Sequence, residues 1–252
     1  MTVCIKSVQD KSGLRVTAGD KELYFSTRDS HSQEWFEANC GDGKVHEEEV
    51  TKWLLSKLEP QLSFADVGAH LGWYSCLAAS FGVYVHCFEA NPLLIPLINK
   101  NVTANGLEGK ISVVNCAVSD EIGTISFPEN SLKPGLTIGR GSTRVESITL
   151  DEYFQRYEDI PGIFKIDVEG AETKVLRGML NIIRRRRPAL LMEIHPVKLK
   201  QLGSNHEEVL KILVSADYSI KTIGHQGGNG IVWATSRQGR RQNNDLLLRS
   251  LR

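Results

Sequence analysis

Two carboxylates and two glycines at fixed spacing carry the first chemical signal in this chain. Asp66, Gly68 and Gly72 fall within FADVGAHLG, and Glu89 falls within CFEANP. A strand ending near Asp66 and bending at the glycines brings backbone close to a ligand, where a Cβ would obstruct. Glu89 follows Gly68 by 21 residues, about one helical connection, and so reads as the acid closing the next strand. A carboxylate there accepts two hydrogen bonds from a ribose diol. The unit reads as a nucleoside pocket.

The loop narrows the nucleoside. A dinucleotide fingerprint needs G-x-G-x-x-G, whose close glycines seat a pyrophosphate on a helix N-terminus. Here the order is Asp66, Gly68, His70, Gly72: the middle glycine is missing and nothing basic is near. An acid beside the loop repels a diphosphate and suits a ligand carrying ammonium and sulfonium groups. S-adenosyl-L-methionine is that ligand, whereas a nicotinamide cofactor lacks its phosphate glycines.

Methyl transfer from a sulfonium requires an acceptor oxygen aligned behind the methyl and, for an alcohol, loss of a proton. Alignment supplies roughly 7–11 kcal/mol of the barrier, and a positioned base about 10²- to 10⁴-fold. Two further segments offer groups for this. In FKIDVEGAE, alternation puts Lys165, Asp167 and Glu169 on one side of a strand. Asp167, at the strand mouth, is the first choice for base or acceptor-orienting residue, and Lys165 reads either as pairing with one of the acids and holding it ionised or as a surface residue. Glu169 serves equally as a helix cap or a functional group, and Glu172 reads as a cap favoured by the dipole. In MEIHP, Glu193 and His195 share parity beside Asp167 and join the catalytic set. Asp167, Glu193 and His195 could instead ligate a divalent metal, a set suiting manganese or iron better than magnesium. Nothing in their spacing demands it, and no metal is expected.

The elements that position these residues alternate. Before residue 45, weak alternation at Val3, Ile5, Val8, Leu14, Val16 and Leu23 to Phe25 predicts short strands in a meander. A helix is predicted over His46 to Leu58, then the strand Leu62 to Val67, and a helix marked by Leu94, Leu97, Ile98 and Val102 that ends at Asn105-Gly106. Ile111 to Val118 reads as a strand, Ser126 to Glu146 as irregular, and Gly162 to Val168 as a buried strand. A helix from Ala171 to about Arg185, a strand from Ala189 to Ile194, a helix near Glu207 to Val214 and a pair, Tyr218 to Ile223 and Ile231 to Ala234, complete the series. Such alternation predicts a doubly wound, mostly parallel α/β sheet with an antiparallel edge strand, plus a small N-terminal strand/helix extension. The divisions are a β-rich extension over 1–45, the main domain over 46–236 and a polar tail over 237–252.

In order from Phe64 to Pro196, the segments FADVGAHLG, CFEANP, NCAVSDEIG, ITLDEY, FKIDVEGAE and RPALLMEIHP together resemble the FkbM-type S-adenosylmethionine-dependent methyltransferases. The resemblance implies a class I methyltransferase (Rossmann-like) fold, a seven-stranded sheet with an antiparallel seventh strand, and O-methylation of sugar or natural-product hydroxyls. Carried over, Asp66, Gly68 and Gly72 match the glycine loop, and Glu89, with Asn91 just after it, the ribose-binding strand end. Ala117 and Ser119 lie where the third strand passes adenine. His70 departs from the asparagine common in the family.

Composition bounds the rest. The 252 residues are 41% hydrophobic and 24% charged, and thirty basic residues balance thirty acidic ones, which argues against an RNA-binding methyltransferase or a membrane-surface protein. A small-molecule or glycan hydroxyl is the expected acceptor; an RNA methyltransferase and a non-catalytic nucleoside-binding module are the rival readings. The five cysteines show no C-x-x-C pair, so free thiols in a reducing, cytoplasmic setting are expected. The run Arg184 to Arg187 closes a helix, where cations complement the dipole. Trp35, Phe36 and Trp53 lie just ahead of the main domain and read first as packing of the lead-in helix, with the lining of an acceptor cleft as the alternative; His31 and His46 show no ligand spacing.

Overall fold

Residues 4–10, 13–127 and 143–237 are described by the computed structural model. The chain opens with the meander expected of its alternation. Strands β1 (Ile5–Gln9), β2 (Gly13–Ala18) and β3 (Lys21–Ser26) form an antiparallel sheet in that order. Leu14, Val16, Leu23 and Phe25 face inward. Past β3 the strand reading fails, because helix α1 (Ser30–Cys40) follows. Its signals were Asp29, whose carboxylate accepts the Ser32 N–H at 2.8 Å, and a buried stripe of Ser32, Phe36 and Cys40 at four-residue spacing. Helix α2 (Glu48–Leu55) is shorter at both ends than predicted.

The main sheet has seven strands. Along the chain come β4 (Phe64–Val67), helix α3 (Trp73–Ser80), β5 (Val85–Glu89), helix α4 (Ile95–Ala104) and β6 (Ile111–Asn115). After them come the short β7 (Ala117–Val118), then β8 (Gly123–Phe127), β9 (Thr143–Ile148), helix α5 (Leu150–Tyr153), β10 (Ile163–Ile166), helices α6 (Glu172–Arg177) and α7 (Leu180–Arg185), and β11 (Ala189–Ile194). Helices α8 (Pro196–Gln201) and α9 (His206–Ser215) and the hairpin β12 (Tyr218–Gln226) and β13 (Asn229–Ser236) end the described chain. The order is β12-β13-β11-β10-β4-β5-β6. Strands β11, β10, β4, β5 and β6 are mutually parallel, and β13 is antiparallel to both β11 and β12. The expected antiparallel pair thus forms one edge.

Strands β4 and β10 are buried at every position, as a parallel sheet covered on both faces requires. Alternation splits them between two cores: Phe64 packs with Leu77, Ile98 and Phe25, while Ala65, Val67, Phe164 and Ile166 pack with Leu176 and Met192. The β1–β3 sheet is fixed to α4 by side chains: the Tyr24 N–H donates to Asn105 Oδ1 at 2.7 Å and the Ser26 N–H to Asn101 Oδ1 at 3.0 Å. The order in which strands are added reverses between the parallel neighbours β4 and β10, so the crevice at their carboxyl ends is where an open α/β sheet binds ligand.

Two further predictions are corrected. The irregular reading of 126–146 misses β8 and β9, which pair antiparallel, Ile125 opposite Val145; residues 128–142 lie outside the described chain, as does the tail from 238. The single helix over 171–185 is two helices. A Cβ on Gly178 would stand 1.9 Å from the Ser119 carbonyl oxygen, and α7 starts afresh with the Asp151 carboxylate accepting the N–H groups of Asn181 and Ile182, both at 2.9 Å. No described helix is long and apolar enough to cross a membrane. All five cysteines are free.

Candidate active site

A cavity of about 370 Å³ opens at the carboxyl ends of β5, β4, β10 and β11, within the size range of small-molecule sites. Gly68, His70, Glu89, Asn91, Ala117, Ser119, Lys165, Asp167, Glu193 and His195 line it. Asp66 and Gly72 are absent from the lining. Asp66 sits inside β4, buried, where its Oδ2 accepts from Ser75 Oγ at 2.7 Å. Its register partner on β10 is Lys165. Gly72 takes a left-handed φ of +76° and caps α3.

The loop between β4 and α3 is bent by left-handed residues: Gly68 at φ +85° and His70 at φ +54° besides Gly72. At Gly68 the requirement is steric, since a Cβ there would stand 1.9 Å from the Asp167 carbonyl oxygen. The clearance expected for a ligand therefore admits the end of β10 instead. His70 turns its backbone N–H onto Glu89 Oε2 at 2.8 Å, and the Asn91 N–H meets Oε1, also at 2.8 Å. The His70 ring faces His31, Nε2 to Nε2 at 3.0 Å. Burial pushes the Glu89 carboxyl up to about 7 against the pull of the two N–H bonds. Burial, helped by His31, lowers the His70 imidazole to about 4.

Across β4 the cavity becomes more strongly charged. Lys165 is buried, with Nζ 3.2 Å from Asp167 Oδ2 and 4.9 Å above the Tyr74 ring. Burial opposes its charge, but Asp167, Asp66 and Glu47 outweigh it and hold the ammonium above its ordinary range. Burial likewise disfavours the Asp167 carboxylate, yet Lys165 and His195 hold it below the usual range. His195 Nδ1 lies 2.6 Å from Oε1 of Glu172, a fully buried carboxylate that also accepts the Gly170 N–H at 3.0 Å. A carboxylate can only accept, so Nδ1 carries the proton and Nε2 is turned toward three other carboxylates. Nε2 is 3.3 Å from Glu169 Oε2, 3.4 Å from Glu193 Oε1 and 3.7 Å from Asp167 Oδ1. Glu193 accepts from Asn229 Nδ2 at 2.8 Å. Burial, together with the charge of Asp167, raises its carboxyl to about 7.

The four residues assigned to chemistry, Lys165, Asp167, Glu193 and His195, are thus gathered at the ends of two adjacent strands. Glu172, read as a cap, holds the histidine from 23 residues away, and Glu169 pairs with Lys198. Neither partnership is legible in local spacing. Trp35, whose alternative reading is the lining of an acceptor cleft, and His46, which shows no ligand spacing, both line the cavity and meet edge to face at 4.7 Å. Asn39, Glu47, Gln226 and Asn229 add to its polar wall, as do Glu169, Lys174 and Lys198.

Residues 66–220 match the family model described as the methyltransferase FkbM domain. Hexuronic acid methyltransferase AglP of Haloferax volcanii is 28% identical, the match covering 69% of this chain and 70% of that protein. The 31-O-demethyl-FK506 methyltransferase FkbM of Streptomyces tacrolimicus is 26% identical over 56% of this chain and 68% of its own. The crystal structure of a methyltransferase FkbM from Methylobacillus flagellatus KT superposes with a TM-score of 0.51 at 18% identity. It covers 70% of this chain, which spans 44% of that protein's length, and supports the fold alone.

Proposed function

Because this chain belongs to the FkbM methyltransferase family, we propose that it uses S-adenosylmethionine to O-methylate a hydroxyl of a sugar or secondary metabolite. The observation that carries the reading is Glu89. Each of its carboxylate oxygens is fixed by one backbone N–H and keeps a lone pair for a ribose hydroxyl. Leu94, Ala117 and Ser119, which line the cavity beyond it, would flank the adenine. No Arg or Lys stands in the 68–72 loop, so the loop suits a cationic donor better than a diphosphate. When bound, S-adenosylmethionine supplies a methyl on a sulfonium, a good leaving group for in-line transfer to an acceptor oxygen.

The chain's own residues set the acceptor side. Asp167, kept ionised by Lys165, accepts a hydrogen bond from the acceptor hydroxyl and aligns it. Trp35 offers an aromatic face and Asn39, Gln226 and Asn229 offer amides, which together suit the apolar faces and hydroxyl rims of a sugar ring. The relative named for hexuronic acid supports this acceptor class. Labelled methyl transfer to a panel of uronic-acid and neutral glycosides is the test. A base-stable label in the sugar is expected, and a base-labile methyl ester would move the acceptor to a carboxylate.

A further inference from the structure

We propose that Asp167, Glu193 and His195 bind one divalent cation of the manganese class. Among the described residues they are the one group of three or more His, Cys, Asp and Glu side chains with ligand atoms that converge, all within 4.8 Å of one another. Separations of 3.4 and 3.7 Å from His195 Nε2 to Glu193 and Asp167 leave room for a shared ion at about 2.1 Å from each ligand. The two carboxylates and the imidazole come from the ends of β10 and β11, rigid elements buried in the sheet.

A second observation is independent of that convergence. The His195 side chain is only 5% exposed, and its Nδ1 is locked by the buried Glu172, the outer partner that a metal-ligating imidazole characteristically has. Nδ1 is thereby occupied, and Nε2 faces Glu169 Oε2, Glu193 Oε1 and Asp167 Oδ1 at 3.3, 3.4 and 3.7 Å. An imidazole and carboxylates converging in this way form a donor set of the kind that takes up a divalent cation.

The ligand chemistry points to a divalent ion: an imidazole with carboxylate oxygens suits the manganese class. Asp167, Glu169, Glu172 and Glu193 surround one ring, and the ammonium groups among them are Lys165 beside Asp167 and Lys198 beside Glu169. With three protein ligands the ion keeps open positions for acceptor oxygens and makes a bound hydroxyl more acidic. That last role rests on the transferase reading; the ion site does not.

The test is titration of the chelator-treated full chain with MnCl2, followed by calorimetry and by loss of the free Mn²⁺ electron-paramagnetic-resonance signal, with S-adenosylhomocysteine binding measured in parallel. One Mn²⁺ per chain is expected, with affinity reduced at least 10-fold in Glu193→Gln and His195→Gln and 10- to 100-fold in Glu172→Gln. Wild-type protein that takes up no Mn²⁺ at millimolar concentration overturns the site whether or not the variants fold. If S-adenosylhomocysteine still binds in that case, the transferase reading stands. If Mn²⁺ binds and S-adenosylhomocysteine does not, the ion site stands without it.

Discussion

The Asp167 carbonyl lies directly against Gly68, so close that a Cβ on the glycine would stand 1.9 Å from its oxygen. This contact joins the glycine loop after β4 to the carboxyl end of β10, and each holds the other in place. Substitution of Gly68 by Ala should therefore cost the left-handed penalty and the overlap together, about 2–5 kcal/mol. Gly106→Ala has a similar φ of +63° but open space around it and should cost about 1–2 kcal/mol. Urea unfolding of the two variants compares them, and equal losses would mean the contact carries no strain.

If Glu89 holds the ribose as proposed, it should link pH to cofactor affinity. Burial pushes its carboxyl up to about 7, and only the ionised form can accept from both ribose hydroxyls. Affinity for S-adenosylhomocysteine should rise between about pH 6 and 8 and then level off, with Glu89→Gln binding weakly and nearly independently of pH. An unchanged slope in that variant would assign the pH dependence elsewhere.

His70 reaches Glu89 through its backbone, and its left-handed φ of +54° is one that asparagine tolerates. His70→Asn should leave S-adenosylhomocysteine affinity within about threefold of wild type, a difference below 1 kcal/mol. The stability profile should change instead. The folded imidazole is depressed to about 4 from an ordinary 6.5, so the unfolded chain binds the extra proton first. Stability is then full above about 6.5 and falls as pH drops toward 4, by up to roughly 3 kcal/mol from this group. His70→Asn should flatten that fall in thermal melts recorded from pH 4 to 8.

Asp167→Asn should lower kcat by about 10²- to 10⁴-fold while S-adenosylhomocysteine affinity stays within a few-fold. Lys165 keeps Asp66 and Glu47 as neighbours in this variant, which limits the cost of unpairing it. Equal losses in turnover and cofactor affinity would make Asp167 a structural residue.

The sheet was legible because β4, β10 and β11 are short apolar runs with a carboxylate or imidazole at or just past their ends, a pattern that burial on both faces imposes. Parity correctly paired Lys165 with Asp167 and Glu193 with His195. Contacts made through space were not legible. Helix α1 hid behind a polar composition with only Ser32, Phe36 and Cys40 facing inward. The break at Gly178 is set by Ser119, some sixty residues earlier in the chain. Asp66 has the composition of a ligand-facing acid but falls on the strand parity that points to Ser75 and α3. Glu172 looked like a cap because its partner, His195, is supplied by the next strand.

On the proposed function, Glu89, held by the N–H groups of His70 and Asn91, grips the ribose of an adenosyl cofactor. Calorimetric titration of S-adenosylhomocysteine into wild type and Glu89→Ala tests it most directly. One ligand per chain is predicted, with affinity lowered by about 1–3 kcal/mol, roughly 5- to 150-fold, in the variant. No heat at millimolar ligand, or the same affinity in both proteins, would contradict it.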